Sequence, residues 1–160
     1  MTDDDDLKAL IARLEEQERR LEFAQFDYAD AWALGGLLVD LATVRSLPIA
    51  VDIRRGTQQL FHAALPGSTA DNDAWIRRKV RVVQRYGASS YLVGRRLAAK
   101  GQQLDAAMGV DPAAYAAHGG AFPVRVPQVG VVGVVTVSGL PQAEDHALVV
   151  EAIETYLGGD

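Results

Sequence analysis

The chain has 160 residues, of which 49% are hydrophobic and 23% charged, and this balance predicts one globular domain spanning residues 1–160. Its formal net charge of -5 argues against nucleic acid and against an anionic membrane as the main partner. Because it has no cysteine, a disulfide framework, a thiolate metal site and a catalytic thiol are excluded. The amino-terminal residues lack the basic start and apolar core of a signal peptide, so we expect a cytoplasmic protein.

Four consecutive aspartates at residues 3–6 open the chain. Like charges repel, so we expect residues 1–6 to form a frayed acidic terminus. Apolar residues then recur at helical spacing and predict a first helix over Leu7–Leu21. Glu22–Asp27 is predicted to be a short strand or an extended link before the next helix.

The second predicted helix runs from Tyr28 to Val44 and contains the pair Gly35 and Gly36. Glycine weakens a helix interior, so tertiary packing must favour a close backbone approach there. Two apolar segments follow, Ile49–Ile53 and Gln58–Leu65, separated by an Arg-Arg-Gly-Thr turn. They predict a β-hairpin.

A third helix is predicted after the capping residues 71–73, ending at Tyr86 before Gly87. It carries a stripe of basic side chains: Arg77, Arg81 and Arg85, with Arg78 and Lys79 beside them. Two interpretations remain open for this stripe. It forms either a solvated face or subunit contact, or a binding site for propionates or phosphates.

Two further helices are predicted in the middle of the chain. A serine cap at Ser89 or Ser90 begins one that extends to about Lys100. Asp111-Pro112 has the cap-then-proline order that starts a short helix over Ala113–His118, closed by Gly119-Gly120.

The carboxyl-terminal quarter, Ala121–Leu157, predicts a strand, a tight turn, a second strand and a final helix. Val129–Val137 is almost entirely apolar or glycine, which predicts a central strand covered on both faces. Its glycines form no nucleotide-binding motif and indicate close packing instead. Ser138-Gly139, before the last helix, could present N–H groups to an anion.

The three histidines, His62, His118 and His146, form no paired motif, which argues against a zinc or di-iron site. A single imidazole can still ligate haem iron. His118 precedes two glycines that allow close approach of a ligand or another chain, although it could instead be a cation stabilised by a helix carboxyl end. Glu144 and Asp145 are expected to keep His146 protonated.

Four segments together resemble a known family: DNDAWIRRKVRVV at Asp71–Val83, ASSYLVG at Ala88–Gly94, YAAHGGAFPVRV at Tyr115–Val126, and GVVGVVTVSGLPQAEDHALVVEAI at Gly130–Ile153. The chain is similar to the UPF0303 group of the haem-degrading domain family. Relatives of that group include secreted haem-binding sensor proteins, the GlcG proteins and the carboxyl-terminal domain of PduO-type cobalamin adenosyltransferases.

The resemblance implies an α/β sandwich of the α+β class, with an antiparallel sheet of about five strands, helices packed on it, and helices at both ends. It also implies a homo-oligomer and a haem or related tetrapyrrole ligand. On that interpretation His118 is the candidate iron ligand, and the other candidate cofactor-binding residues are Gly119, Gly120, Arg77, Arg78 and Arg81. The alternative is a non-enzymatic oligomeric adaptor or assembly protein without a cofactor. The residues leave open whether any reaction is catalysed.

Overall fold

The computed structural model describes residues 2–158 and contains five α-helices, one short 3-10 helix and four strands. In chain order the elements are α1 (Asp3–Arg20), α2 (Tyr28–Val44), β1 (Ala50–Arg55), β2 (Gln58–Ala64), α3 (Ala70–Tyr86), α4 (Ser90–Ala99), the 3-10 helix (Ala106–Met108), β3 (Ala121–Val126), β4 (Gly130–Ser138) and α5 (Gln142–Leu157). The predicted α+β class is confirmed.

The sheet is antiparallel with strand order β2-β1-β4-β3, so it has four strands where about five were expected. The segment Glu22–Asp27 is an extended link and not a strand. It makes one backbone hydrogen bond to β3, from Phe23 N–H to the Arg125 carbonyl at 2.8 Å. Asp27 then caps α2 by accepting from Asp30 N–H at 2.9 Å, and the link ends there.

Helices cover both faces of this sheet. On one face α2 and α5 pack on the larger core, which includes Val51 and Ile53 of β1 and Val135 and Val137 of β4. On the other face α3 packs on Val134 and its neighbours. A third apolar cluster joins α1 to α4. The result is a helix–sheet–helix sandwich.

β4 is a central strand, as its sequence predicted, but its burial is uneven. The residues from Gly133 to Ser138 are buried, whereas Val129 is 70% exposed and Val131 is 38% exposed. Its amino-terminal end extends beyond the helices that cover the rest of the strand. Pro123 lies on β3, an edge strand, where a missing backbone N–H removes no ladder hydrogen bond to a further strand.

The expectation of a frayed acidic terminus is wrong for Asp3–Asp6, because these residues form the first turn of α1. Thr2 caps the helix by accepting from Asp5 N–H at 3.1 Å, and the Asp5 carboxylate accepts from the Thr2 backbone in return. Carboxylates in a first helical turn interact favourably with the helix dipole. Met1 lies outside the described residues.

The predicted second helix, the hairpin and the end of α3 at Gly87 are confirmed. The close approach expected in α2 occurs at Gly35, where an added Cβ would lie 2.5 Å from the Phe61 ring. Gly36 has open space instead. The helix predicted over Ala113–His118 is wrong, because this segment is a turn followed by irregular backbone.

Candidate functional site at His118

The basic side chains of α3 hold the segment that leads to His118. Arg78 donates to the Pro112 carbonyl at 3.0 Å and Arg81 donates to the Ala114 carbonyl at 3.0 Å. The Arg78 backbone carbonyl accepts from Ala116 N–H at 3.1 Å. These contacts satisfy backbone groups that a helix over the same residues would have paired internally, which explains why the predicted helix does not form.

Arg85 extends this arrangement by donating to the Gly109 carbonyl at 3.2 Å. The arginines of α3 that face the loop therefore recur as 78, 81 and 85, the spacing of one helical face. Neither sequence interpretation of the stripe, a solvated face or an anion site, anticipated that much of it binds loop carbonyls.

The two glycines after His118 allow the backbone to pass close to other parts of the same chain. A Cβ on Gly119 would overlap with the carbonyl oxygen of Gln142. Gly120 has a φ of 138°, and a Cβ there would overlap with the Val137 carbonyl and lie 2.7 Å from Lys79 Nζ. The close approach is thus to strand β4 and helices α3 and α5.

His118 itself is exposed at the junction of two cavities. Its ring centroid lies 5.4 Å from that of Trp75, and the Arg78 guanidinium lies 4.4 Å from the Trp75 ring centroid. Partial burial, together with the positive charges of Lys79, Arg78 and Arg95, lowers the pKa of His118 below its ordinary value. The imidazole is therefore neutral at pH 7 and has one unprotonated nitrogen.

The larger cavity, here the arginine cavity, has a volume of about 600 Å³. It is bordered by Arg78, Arg95, Tyr115 and His118, with apolar lining from Leu97 and from further side chains of the loop, Leu104, Pro112, Ala116 and Ala117. The Nε atoms of Arg78 and Arg95 are buried and have no hydrogen-bond partner among residues 2–158. The cavity is therefore bordered by two arginines, each with an unpartnered Nε, close to an apolar wall.

The smaller cavity, here the lysine cavity, has a volume of about 280 Å³ and adjoins His118 on the other side. Lys79 is only 3% exposed and donates to Asp145 Oδ2 at 3.1 Å and to the Val137 carbonyl at 3.2 Å. Burial lowers the pKa of Lys79 and raises the pKa of Asp145, and the ion pair opposes both shifts.

Asp145 also accepts from Leu140 N–H at 3.0 Å. The sequence suggested that the N–H groups at Ser138-Gly139 could bind an anion. Directly after this pair, Leu140 N–H binds the carboxylate of Asp145, which belongs to the chain itself. Lys79 and Asp145 were missed as a pair because 66 positions separate them along the chain. In the sequence, each residue is marked only by its position in a segment that resembles the family: Lys79 in Asp71–Val83 and Asp145 in Gly130–Ile153.

The remaining candidates lie apart from His118. Arg77 borders a polar cavity on a different side of α3, beside His62 and Asp73, and His62 Nε2 lies 2.7 Å from Asp73 Oδ1. The structure thus groups Arg78 with His118 and separates Arg77 from both. Among residues 2–158 there is no cluster of three or more histidine or carboxylate residues placed to hold a metal ion.

His146 is buried, and the expectation that its acidic neighbours keep it protonated is wrong. Burial lowers the pKa of His146 to about 4. Its Nε2 lies 2.8 Å from Gln17 Oε1, and its ring packs 5.1 Å from the Tyr91 ring centroid. Asp145 points to Lys79 instead, so it supplies no hydrogen bond to this imidazole.

A family model described as haem degrading protein HbpS-like matches residues 26–154. A UPF0303 protein of Streptomyces coelicolor is 66% identical over 148 residues, which cover 92% of this chain and 94% of that protein. The family resemblance seen in the sequence is confirmed.

Solved structures share the fold. The crystal structure of the Ybr137w protein has a TM-score of 0.85 and 30% identity, covering 99% of this chain and 97% of that one. The crystal structure of a PduOC:heme complex has a TM-score of 0.68 and 15% identity, covering 81% of this chain and 93% of that one. At that identity the second likeness shows the fold alone.

Proposed function

The chain belongs to the HbpS-like haem-degrading protein family, and we propose that it binds haem or a related tetrapyrrole in the arginine cavity. One observation carries the proposal: the imidazole of His118 borders the same cavity as two arginines whose Nε donors have no partner among residues 2–158. The heme complex of a fold neighbour supports it. The proposal concerns binding and includes no catalytic step.

The residues present suit such a ligand. The cavity volume of about 600 Å³ lies within the range of about 300–1,000 Å³ that is usual for small-molecule and cofactor sites. A bound haem would supply an iron that a neutral imidazole can ligate, and His118 is the imidazole at this cavity. Arg78 and Arg95 would donate to the propionates, for which guanidinium groups are well suited.

The positions of the other candidates refine the original expectation. Arg81 is absent from the lining of the arginine cavity, and Arg77 borders a different cavity, so they are weaker propionate partners than Arg78 and Arg95. Gly119 and Gly120 would act indirectly, since their close packing sets the position of the neighbouring His118.

Titration of the purified protein with haemin tests the proposal through the Soret band. The wild-type chain should give a saturable spectral change, and His118→Ala should shift the band and weaken binding at least about tenfold because the iron loses its ligand. His62→Ala is the matched control, since His62 lies with Asp73 in a separate cavity. No saturable change, or one that His118→Ala leaves untouched, would refute the site.

A second proposal concerns assembly, and the exposed face of α2 favours it. The helix is apolar almost all round, yet Trp32 is 64% exposed and Val44 is 86% exposed. Helices of that composition are normally covered. One turn after Trp32 the surface has a gap, because nothing lies within 4 Å of a Cβ added at Gly36.

We assign this face to a second copy of the chain. A protruding indole beside an open glycine is self-complementary under a two-fold axis, where each Trp32 would lie over the Gly36 of the other copy. Light scattering should report an oligomer, and Trp32→Glu should produce a smaller species while Val131→Glu, on the exposed end of β4, should not. A monomeric wild-type chain would contradict this proposal and leave the haem site untouched.

Among residues 2–158, the helices are all too short or too polar to cross a bilayer. A cytoplasmic location stays a prediction. If haemin fails to bind and the oligomer is observed, the hypothesis that remains is a non-enzymatic oligomeric adaptor or assembly protein without a cofactor.

A further inference from the structure

The lysine cavity contains a surplus of hydrogen-bond donors that the haem proposal does not use. Lys79 lines this cavity and is only 3% exposed. An ammonium group has three N–H donors, and its acceptors among residues 2–158 are two, Val137 O and Asp145 Oδ2. One donor is therefore left without a protein partner.

Two carboxamides that line the same cavity have fixed orientations. Asn72 Oδ1 accepts from Thr69 N–H at 2.8 Å, and Gln142 Oε1 accepts from Gly119 N–H at 3.0 Å. A backbone N–H can only donate, so each contact must be made by the amide oxygen and not by the nitrogen. Within the described part of the chain, neither side-chain NH₂ group donates to another atom.

The acceptors near these donors are largely satisfied. The two oxygens of Asp145 accept from Lys79 and from Leu140 N–H. Asp71, the other carboxylate at this cavity, is exposed to solvent, where its charge is screened. The space beside Lys79 and the two amides is therefore rich in donors, and the imidazole of His118 adds one acceptor nitrogen at its border.

We infer that the lysine cavity binds the carboxylate of a small organic acid, with Lys79, Asn72 and Gln142 donating to its oxygens. Its volume of about 280 Å³ lies below the usual range of about 300–1,000 Å³ for drug-sized ligands, which limits the ligand to a few heavy atoms. Trp75 supplies an apolar wall for the carbon skeleton. Hydrogen bonds to a charged acceptor are the stronger kind. His118 borders both cavities, but none of the three donors takes part in the haem proposal.

Calorimetric titration of the full chain without haem tests this site, with lactate as the probe and lactamide as its neutral counterpart. Lactate should bind saturably to one site per chain. Lactamide should bind at least about tenfold more weakly, because it offers no charged acceptor. Absence of saturable lactate binding would overturn the inference, and so would lactamide binding of equal affinity. Binding of inorganic phosphate but not lactate would also overturn it.

Two near-isosteric variants locate the binding. Asn72→Asp and Gln142→Glu keep an oxygen for Thr69 N–H and Gly119 N–H but replace the outward NH₂ donor with an acceptor. Each should weaken lactate binding at least about tenfold while circular dichroism and the unfolding midpoint show a folded protein. Lactate affinity unchanged in both variants would refute the assignment.

Arg77→Gln is the matched control, because Arg77 lies on α3 but borders another cavity. It should bind lactate as the wild-type chain does. Equal weakening by this variant would show that lactate responds to the net charge of the protein and would overturn the site. Substitution of Lys79 is avoided as the test because it leaves the buried Asp145 without its cationic partner.

Discussion

The ammonium of Lys79 lies 3.1 Å from the carboxylate of Asp145, and the two side chains are only 4% and 2% exposed. The pair joins α3 to α5, and the additional bond from Lys79 to the Val137 carbonyl ties both helices to β4. A buried pair stabilises a fold only when its remaining polar atoms are also bonded. Here Asp145 has a second donor in Leu140 N–H and Lys79 has a second acceptor. Among residues 2–158, one N–H donor of the Lys79 ammonium stays without an acceptor.

Removal of one partner should therefore be more harmful than removal of both. Lys79→Met leaves an uncompensated buried carboxylate, and we expect the free energy of unfolding to fall by about 3–5 kcal/mol. The double variant Lys79→Met/Asp145→Asn should be more stable than Lys79→Met alone, because no charge stays buried. Urea unfolding of the single and double variants measures this coupling.

The exposed pair Arg20–Glu154, 2.9 Å apart with both side chains nearly half exposed, provides the comparison. Removal of either partner there should change stability by less than about 1 kcal/mol. A Lys79→Met effect of the same small size would show that solvent reaches the buried pair, and additive effects in the double variant would show that the pair is not coupled.

Gly94 on α4 packs directly against the carbonyl of Ala117, the residue before His118, and an added Cβ would overlap with that oxygen. Gly94→Ala should therefore displace the loop and weaken haemin binding, with a loss of stability of about 1–3 kcal/mol. Haemin titration and urea unfolding measure the two effects. Ala99→Gly, an exposed change at the end of the same helix, should weaken the helix without moving the loop. Equal haemin affinity in Gly94→Ala would contradict the expected coupling.

The fold could be predicted from the sequence wherever local pattern and tertiary packing agree. The spacing of apolar residues predicted α2, and the glycine after Tyr86 predicted the end of α3. The hairpin was also predicted, although its turn is Gly56-Thr57 alone, because Arg54 and Arg55 belong to β1. The segment Ala113–His118 had competing solutions. Its cap and proline favoured a helix, but arginines from α3 bind its carbonyls, and no local pattern contains that information.

The site was predicted in part for the same reason. His118 could be singled out because two glycines follow it. Glycines predict that the backbone packs closely against another group, even when the sequence does not identify that group. The roles of Lys79 and Arg95 depend on burial and on partners far along the chain, so their residue types alone did not separate them from the other basic side chains of α3 and α4.

Glu18 of α1 is 8% exposed, and its Oε1 accepts from Ser89 N–H at 3.1 Å. Burial raises the pKa of Glu18, although Ser89 N–H, Arg125 and Arg96 oppose the shift. A raised pKa means that the folded state holds the proton more tightly than the unfolded state. The stability of the wild-type chain relative to Glu18→Gln should therefore rise as the pH falls from 7 to below 4.5.

Urea unfolding of both chains across that pH range measures the difference. Glu15→Gln is the matched control, because the Glu15 side chain lies on the same helix, is 38% exposed and is 3.0 Å from Arg96. The opposite slope for Glu18→Gln would mean that the two arginines and the Ser89 N–H outweigh burial.

His146 gives a pH dependence of the opposite sign. Burial lowers its pKa from 6.5 to about 4, so the folded chain keeps the imidazole neutral while the unfolded chain takes up a proton below pH 6.5. Its contribution to stability is complete above pH 6.5 and is lost as the pH falls to about 4, by about 3 kcal/mol.

The stability difference between the wild-type chain and His146→Gln isolates the His146 imidazole, because every other titratable group is present in both chains. That difference should shrink by about 3 kcal/mol between pH 7 and pH 4 in urea unfolding. His62→Gln is the matched control variant, because His62 is partly exposed beside the Asp73 carboxylate. A difference for His146→Gln that stays constant with pH would mean that the protonated imidazole is accommodated in the folded chain, with water reaching the space between Gln17 and Tyr91.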